Sequence, residues 1–351
     1  MIRVPVVLPV LLLCLPILAR AQSPGCDTLK AKQEKTYGFE PPQLSSDERQ
    51  AKSREMDEFW QEAQSLGLGA VPCLQEMLNA NKRDPFFLFD GASLLLSIDA
   101  SPPSLTTISA AVASTDLKEV DSAGYIRLLL ELSHRGVDIG PLASKYMAYP
   151  LVDTSLPQHG GMKLTRIDGA LLLYGSMDPV VAEKYLEPIA RGTDATARPA
   201  AVFALALGLT EAGFRAFHAG ISLEGLDPTN QGVVRAILQY TPLPPPPHTP
   251  LSHEQMLKRL AAVIGGDFVH IDPDNPPYVA GDDAFEASCV QFTPADLPLL
   301  IGARRKSIRS VSDESIDEYV CLTRAILVVI NRYDLYKKLR ARPSQPEAAA
   351  K

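Results

Sequence analysis

The stretch DPVVAEKYLEPIARGTDATARPAAVFALALG, residues 178–208, decides the fold. It opens with Asp178-Pro179, an oxygen-bearing side chain followed by proline. Such an aspartate satisfies an orphan amide at a helix start, and the proline gives up an N–H that had no partner there. A helix is therefore expected over 179–191. Past Gly192, Ala200, Phe203, Ala204 and Leu207 recur at helical spacing and predict a second helix over 195–208. Helices this short cannot bury their own apolar faces, so neighbouring pairs must stack into a shared core.

Working outward, the unit recurs. Proline-marked starts stand at Pro72, Pro102, Pro141 and Pro179, and a further helix begins near Thr210 without one. The period is irregular, roughly 33–38 residues, a size that signals stacked helical pairs. Asp84-Pro85, Ser101-Pro102, Asp227-Pro228 and Thr293-Pro294 repeat the capping pattern. Tyr125, Leu129 and Leu132 form one apolar stripe, and Leu164, Ile167, Leu171 and Tyr174 another. Helices are expected at 85–98, 102–113, 119–135, 139–148, 163–175, 179–191, 195–208, 210–219 and 228–240. Before them, Ser45 with Glu48 is a capping box that opens a charged helix reaching Leu66, with Met56, Phe59 and the sole tryptophan, Trp60, on its burying face. Alternating β-branched runs are scarce, and the chain reads as all-α.

Three segments resemble HEAT repeats. Gly69-Ala-Val-Pro72-Cys-Leu74 and Asp178-Pro-Val-Val-Ala-Glu-Lys-Tyr-Leu186 look like second helices of that family. Asp194 and Arg198 before Pro199-Ala-Ala-Val-Phe-Ala-Leu-Ala-Leu-Gly208 look like its first helix, although several copies lack the acidic–arginine pair. The resemblance covers residues 66–240 and, more loosely, 281–335. It implies a right-handed α-solenoid of stacked antiparallel helix pairs, used mainly to bind other macromolecules, and names no partner.

The rest of the chain frames this array at 44–240. Residues 1–21 have the form of a signal peptide: Arg3, an apolar run over 4–18, then Ala19-Arg20-Ala21 as a cleavage signature. Residues 22–43 read as an irregular leader. Residues 241–250, with four consecutive prolines, form a stiff polyproline strut. A C-terminal helical lobe is expected over 251–340, with helices near 252–264, 282–291, 294–303 and 313–338, and the Pro/Ala-rich tail 341–351 as disordered. The apolar run at 319–330 must be deeply buried.

Removing Arg3 and Arg20 with the leader leaves 32 basic against 41 acidic side chains, a formal charge of −9. That balance argues against nucleic acid as a partner, and no span outside the leader is apolar enough to cross a bilayer. Export, to a periplasm or the extracellular space, permits disulfides. Cys26 with Cys73 and Cys289 with Cys321 are the candidate pairs, against the alternative of four buried thiols.

The acidic insertion 265–286 gathers Asp267, His270, Asp272 and Asp274, oxygen-rich ligands of the kind calcium takes. Pro273, Pro276 and Pro277 break the calcium-loop spacing, so a solvated loop with no cofactor competes with a cation site. No Gly-x-Ser-x-Gly elbow, His-Glu-x-x-His pair or phosphate-cradling glycine loop occurs, and no catalytic set is assigned. Tyr146 and Tyr149, at the end of a second helix, are the interface candidates, because tyrosine buries area while keeping a polar tip. The expected function is an exported, non-catalytic protein-binding scaffold or adaptor that uses the concave face of the helical solenoid, the face second helices usually line. The alternative is a cation-dependent or enzymatic module built on the acidic insertion.

Overall fold

The computed structural model describes residues 25–37, 45–80, 85–117, 122–149, 165–239, 251–265 and 283–336. The leader at 1–21, the proline strut, residues 266–282 of the acidic insertion and the tail lie outside them. Among the described residues the secondary structure is helical throughout, with no strand. The chain divides into two compact units, residues 1–77 and 78–351.

In the first unit, α1 (Cys26–Tyr37) pairs with α2 (Ser46–Leu66), and a 3-10 turn at Gly67–Ala70 leads into α3 (Val71–Ala80). Lys35 pairs with Glu55 and Lys32 with Glu62, so α1 and α2 run antiparallel. A helix at 26–37 corrects the expectation of an irregular leader. Its buried positions are Cys26, Leu29, Gln33 and Thr36, one per turn and half of them polar, a face too weak to read as a periodic stripe. Tertiary partners hold it: the Cys26–Cys73 disulfide ties its start to α3, and Lys52 caps its end. Ser45 and Glu48 form the expected capping box at α2. Phe59 is fully buried, with Tyr37 edge-on at 5.9 Å, whereas Trp60 and Met56 are half-buried.

In the second unit the helices alternate between two layers. One holds α4 (Pro85–Ile98), α6 (Ser122–His134), α8 (Arg166–Gly175), α10 (Ala197–Gly208) and α12 (Pro228–Gln239), each beside the next. The other holds α5 (Pro102–Ser114), α7 (Gly140–Ala148), α9 (Pro179–Arg191) and α11 (Glu211–His218), with α7 beside α9 and α9 beside α11. Asp178 and Asp227 cap as the sequence predicts, accepting from Val180 and Thr229 amides at 3.0 and 2.9 Å. Ser101 does not: its hydroxyl donates to Asp99 at 2.7 Å, which also accepts from Ser104. Thr165 and Asp168 supply a capping box at α8 instead.

Beyond the strut come α13 (His253–Gly265), α14 (Asp283–Ser288) with 3-10 turns at Cys289–Gln291 and Pro294–Asp296, α15 (Leu297–Ser307) and α16 (Asp313–Arg332). These helices, expected as a lobe of their own, fold back onto the array. α16 lies against α8 and α10 and pairs with α15, which packs on α13. Covered from both sides, α8 is buried from Gly169 to Gly175 and α10 from Pro199 to Leu207. Small residues make that crowding possible: a Cβ on Gly175 would lie 2.8 Å from the Tyr319 ring of α16. Arg304 of α15, only 2% exposed, closes the end of α10 by donating to the Leu207 and Gly208 carbonyls at 2.8 and 3.0 Å.

Candidate functional site

α16 covers α8 and α10, whereas among the described residues α9 and α11 of the second layer keep exposed faces. α9 presents Val180, 62% exposed, followed by exposed Lys184, Pro188 and Arg191. These residues fall on one face because they recur every three to four positions, while Ala182, Leu186 and Ala190 point inward. α11 beside it exposes Glu211, Ala212, Arg215 and His218. Tyr185 sits between this surface and the core, and its hydroxyl donates to Asp138 at 2.8 Å. That hydrogen bond, followed by burial and the aspartate's charge, raises the phenol above its ordinary pKa.

The two tyrosines expected at an interface part company. Tyr146 is a correction: it is 2% exposed and stacks on Tyr125 with ring centroids 5.7 Å apart, so its area is spent inside the core. It lies on the inward face of α7 together with Leu142 and Ala143. Tyr149 is half-buried at the end of α7, where its carbonyl accepts from Arg166 at 2.9 Å. Arg166 also reaches the Met147 carbonyl at 3.3 Å and the Thr196 hydroxyl at 2.8 Å. Asp194, in the acidic–arginine segment, is held at about 2 by the Thr196 hydroxyl, then by the Ala197 and Thr196 amides, with the Arg166 charge adding to them.

Arg198, the other member of that segment, spans to the next turn, donating to the Ser222 carbonyl at 3.1 Å and to the Glu224 carbonyl. Between the α9–α10 and α11–α12 connections lies an open cleft of about 550 Å³, with Arg191, Thr193, Arg198 and Ser222 on its walls. Its walls carry guanidinium groups and exposed loop backbone, a surface suited to polar or acidic peptide groups. This edge was invisible as a site in the sequence, because its polar residues belong to two loops that only stacking brings together.

The expected cation ligands Asp267, His270, Asp272 and Asp274 lie outside the described residues. Among the described residues no three His, Cys, Asp or Glu side chains gather to hold a metal, and no helix is long and apolar enough to cross a membrane. Cys26 and Cys73 are joined, with Cα atoms 5.6 Å apart. Cys289 and Cys321 are not: both are buried thiols, a correction to the second candidate pair. The Cys289 thiol points back along its own segment and donates to the Phe285 carbonyl at 3.4 Å. Set against protein-family models, against curated proteins and against solved structures, the chain matches none.

Proposed function

We propose that this protein is an exported HEAT-like α-solenoid that acts as a non-catalytic scaffold or adaptor, binding a protein partner along its concave face, the exposed side of α5, α7, α9 and α11. The observation that carries this reading is the asymmetry of the two layers. One is buried at α8 and α10 under the chain's own C-terminal helices, while the other displays Val180 at 62% exposure at the start of α9 and a polar cleft past the end of that helix. Val180 with Lys184 one turn on, and Arg191 at the far end of α9, give this face an apolar point and basic groups along one helix, the mixed make-up of a binding patch. The Cys26–Cys73 disulfide and the signal-like 1–21 segment support a periplasmic or extracellular setting, where such bonds persist.

The test is affinity capture on immobilised residues 22–351, with native envelope extract passed over it with and without calcium. In parallel runs Val180→Asp and Lys184→Glu replace the wild type. The scaffold reading expects a saturable protein that is retained in both conditions and lost from the Val180→Asp surface. A protein retained equally by both variants would overturn the assignment of this face. Retention only with calcium would transfer the function to the acidic insertion.

A further inference from the structure

Where α9, the end of α10, α15 and α16 meet, they leave a cavity of about 20 Å³. Glu183, Thr210, Arg304 and Tyr319 line it, among apolar neighbours such as Leu186 and Ala204. Two of these side chains carry opposite charge deep in the protein: Glu183 is 8% exposed and Arg304 2%. The Glu183 carboxylate accepts from the Thr210 hydroxyl at 2.5 Å, and that hydroxyl is itself occupied by the Gly213 amide at 2.9 Å. Arg304 places its two terminal nitrogens on the Leu207 and Gly208 carbonyls and lies over the Tyr319 ring, 5.2 Å from its centroid. Its Nε–H is buried and, among the described residues, finds no acceptor.

A buried guanidinium N–H without an acceptor is costly, and a molecule that accepts from it while donating to the Glu183 carboxylate across the cavity removes that cost. It must accept from Arg304 and donate to Glu183, which water does at once. An anion would meet the Glu183 charge and a cation the Arg304 charge, so the site selects a neutral occupant. Water needs about 10–15 Å³ on this scale, which the cavity supplies. We infer that the cavity is a binding site for an ordered water that bridges Arg304 Nε to the Glu183 carboxylate, joining α9 to α15 as a water-mediated ion pair. The bridge fastens the C-terminal helices to the array at the point where α10 ends.

An atomic-resolution crystal structure of the full chain, with melting curves of four variants, tests this. Density for a water within hydrogen-bond reach of both side chains is expected. Glu183→Leu and Arg304→Met should each lower the melting midpoint by roughly 5–10 °C, the double variant by clearly less than their sum. Glu183→Gln, which keeps an acceptor of the same size, should retain the water. Ala204→Val fills the cavity without touching either charge, and should cost more in the wild type than in the Glu183→Leu/Arg304→Met background. An empty cavity, a direct Arg304–Glu183 contact, strictly additive losses, or an Ala204→Val effect equal in both backgrounds would each overturn the bridge. If Glu183→Leu fails to fold, crystal structures of the wild type and of Glu183→Gln still decide: a water on both side chains is expected in each, and its absence from the wild type overturns the bridge.

Discussion

At the residue scale, close packing makes single atoms decisive. A Cβ on Gly140 would run into the Tyr185 ring, because α7 and α9 approach each other there. Gly140→Ala is expected to cost about 1–3 kcal/mol by overpacking, and Tyr185→Ala should abolish most of that increment; urea unfolding of the two singles and the double measures it. His134 of α6 supplies a pH response. Burial pushes its imidazole below the ordinary value of 6.5, helped by the Lys306 and Arg135 charges, while the Ile308 backbone and Glu131 oppose the shift. The folded state thus favours neutral His134, and the unfolded chain takes up the proton first. This contribution to stability is complete above pH 6.5 and is lost as pH falls through the lower folded value. Melting curves of the wild type and His134→Gln between pH 7.5 and 5 should converge on the acid side. Neither role was legible in the sequence: Gly140 falls inside the helix expected at 139–148, and His134 falls at the end of the helix expected at 119–135, with nothing local to say what either would meet. Tyr146 misled for the same reason, since its position at a helix terminus says nothing about which way the ring turns.

At the element scale, helix starts and helix ends obey different rules. Starts are written locally, in Asp178-Pro179, Asp227-Pro228 and Ser45 with Glu48, because an N-cap reaches amides only two or three residues on. Ends are closed from afar by basic side chains. Lys52 holds the carbonyls of α1, Lys145 those of α5, Arg166 those of α7, Arg191 the Ala216 carbonyl of α11 and Arg304 those of α10. A cation at a helix C-terminus satisfies orphan carbonyls and opposes the negative end of the dipole. Lys145→Met keeps the stem but removes the bonds to Ala113 and Thr115 at 2.8 and 2.7 Å. It should lose about 1–3 kcal/mol in urea unfolding, with Lys145→Arg restoring most of it. The helix at 26–37 escaped sequence reading on the same ground: its buried face holds Gln33 and Thr36, and its partners are a cysteine in α3 and lysines and glutamates along α2.

At the scale of the whole molecule, the disulfide and the fold-back of the C-terminal helices dominate. Cys26 and Cys73 stand 47 residues apart, and closing a loop of that size contributes about 3–4 kcal/mol in the chain-entropy account. Trp60, the sole tryptophan, reports on the first unit alone. Its fluorescence in a urea titration of Cys73→Ser should show a midpoint clearly below that of the oxidised wild type, and reductant should bring the wild type down to the variant. By itself the sequence determined the all-α class, the positions of most helices in the array and their capped starts, because apolar period and cap chemistry act over a few neighbouring residues. It also marked Asp194 and Arg198 as a pair of note, though not the cleft beside them. Only the tertiary structure decided that α15 and α16 return to cover α8 and α10, that Cys289 stays a thiol, and that Glu183 and Arg304 share one cavity. Those outcomes depend on which surfaces meet across a long stretch of chain, and burial, close approach and shared carbonyls come into being only once the helices are packed.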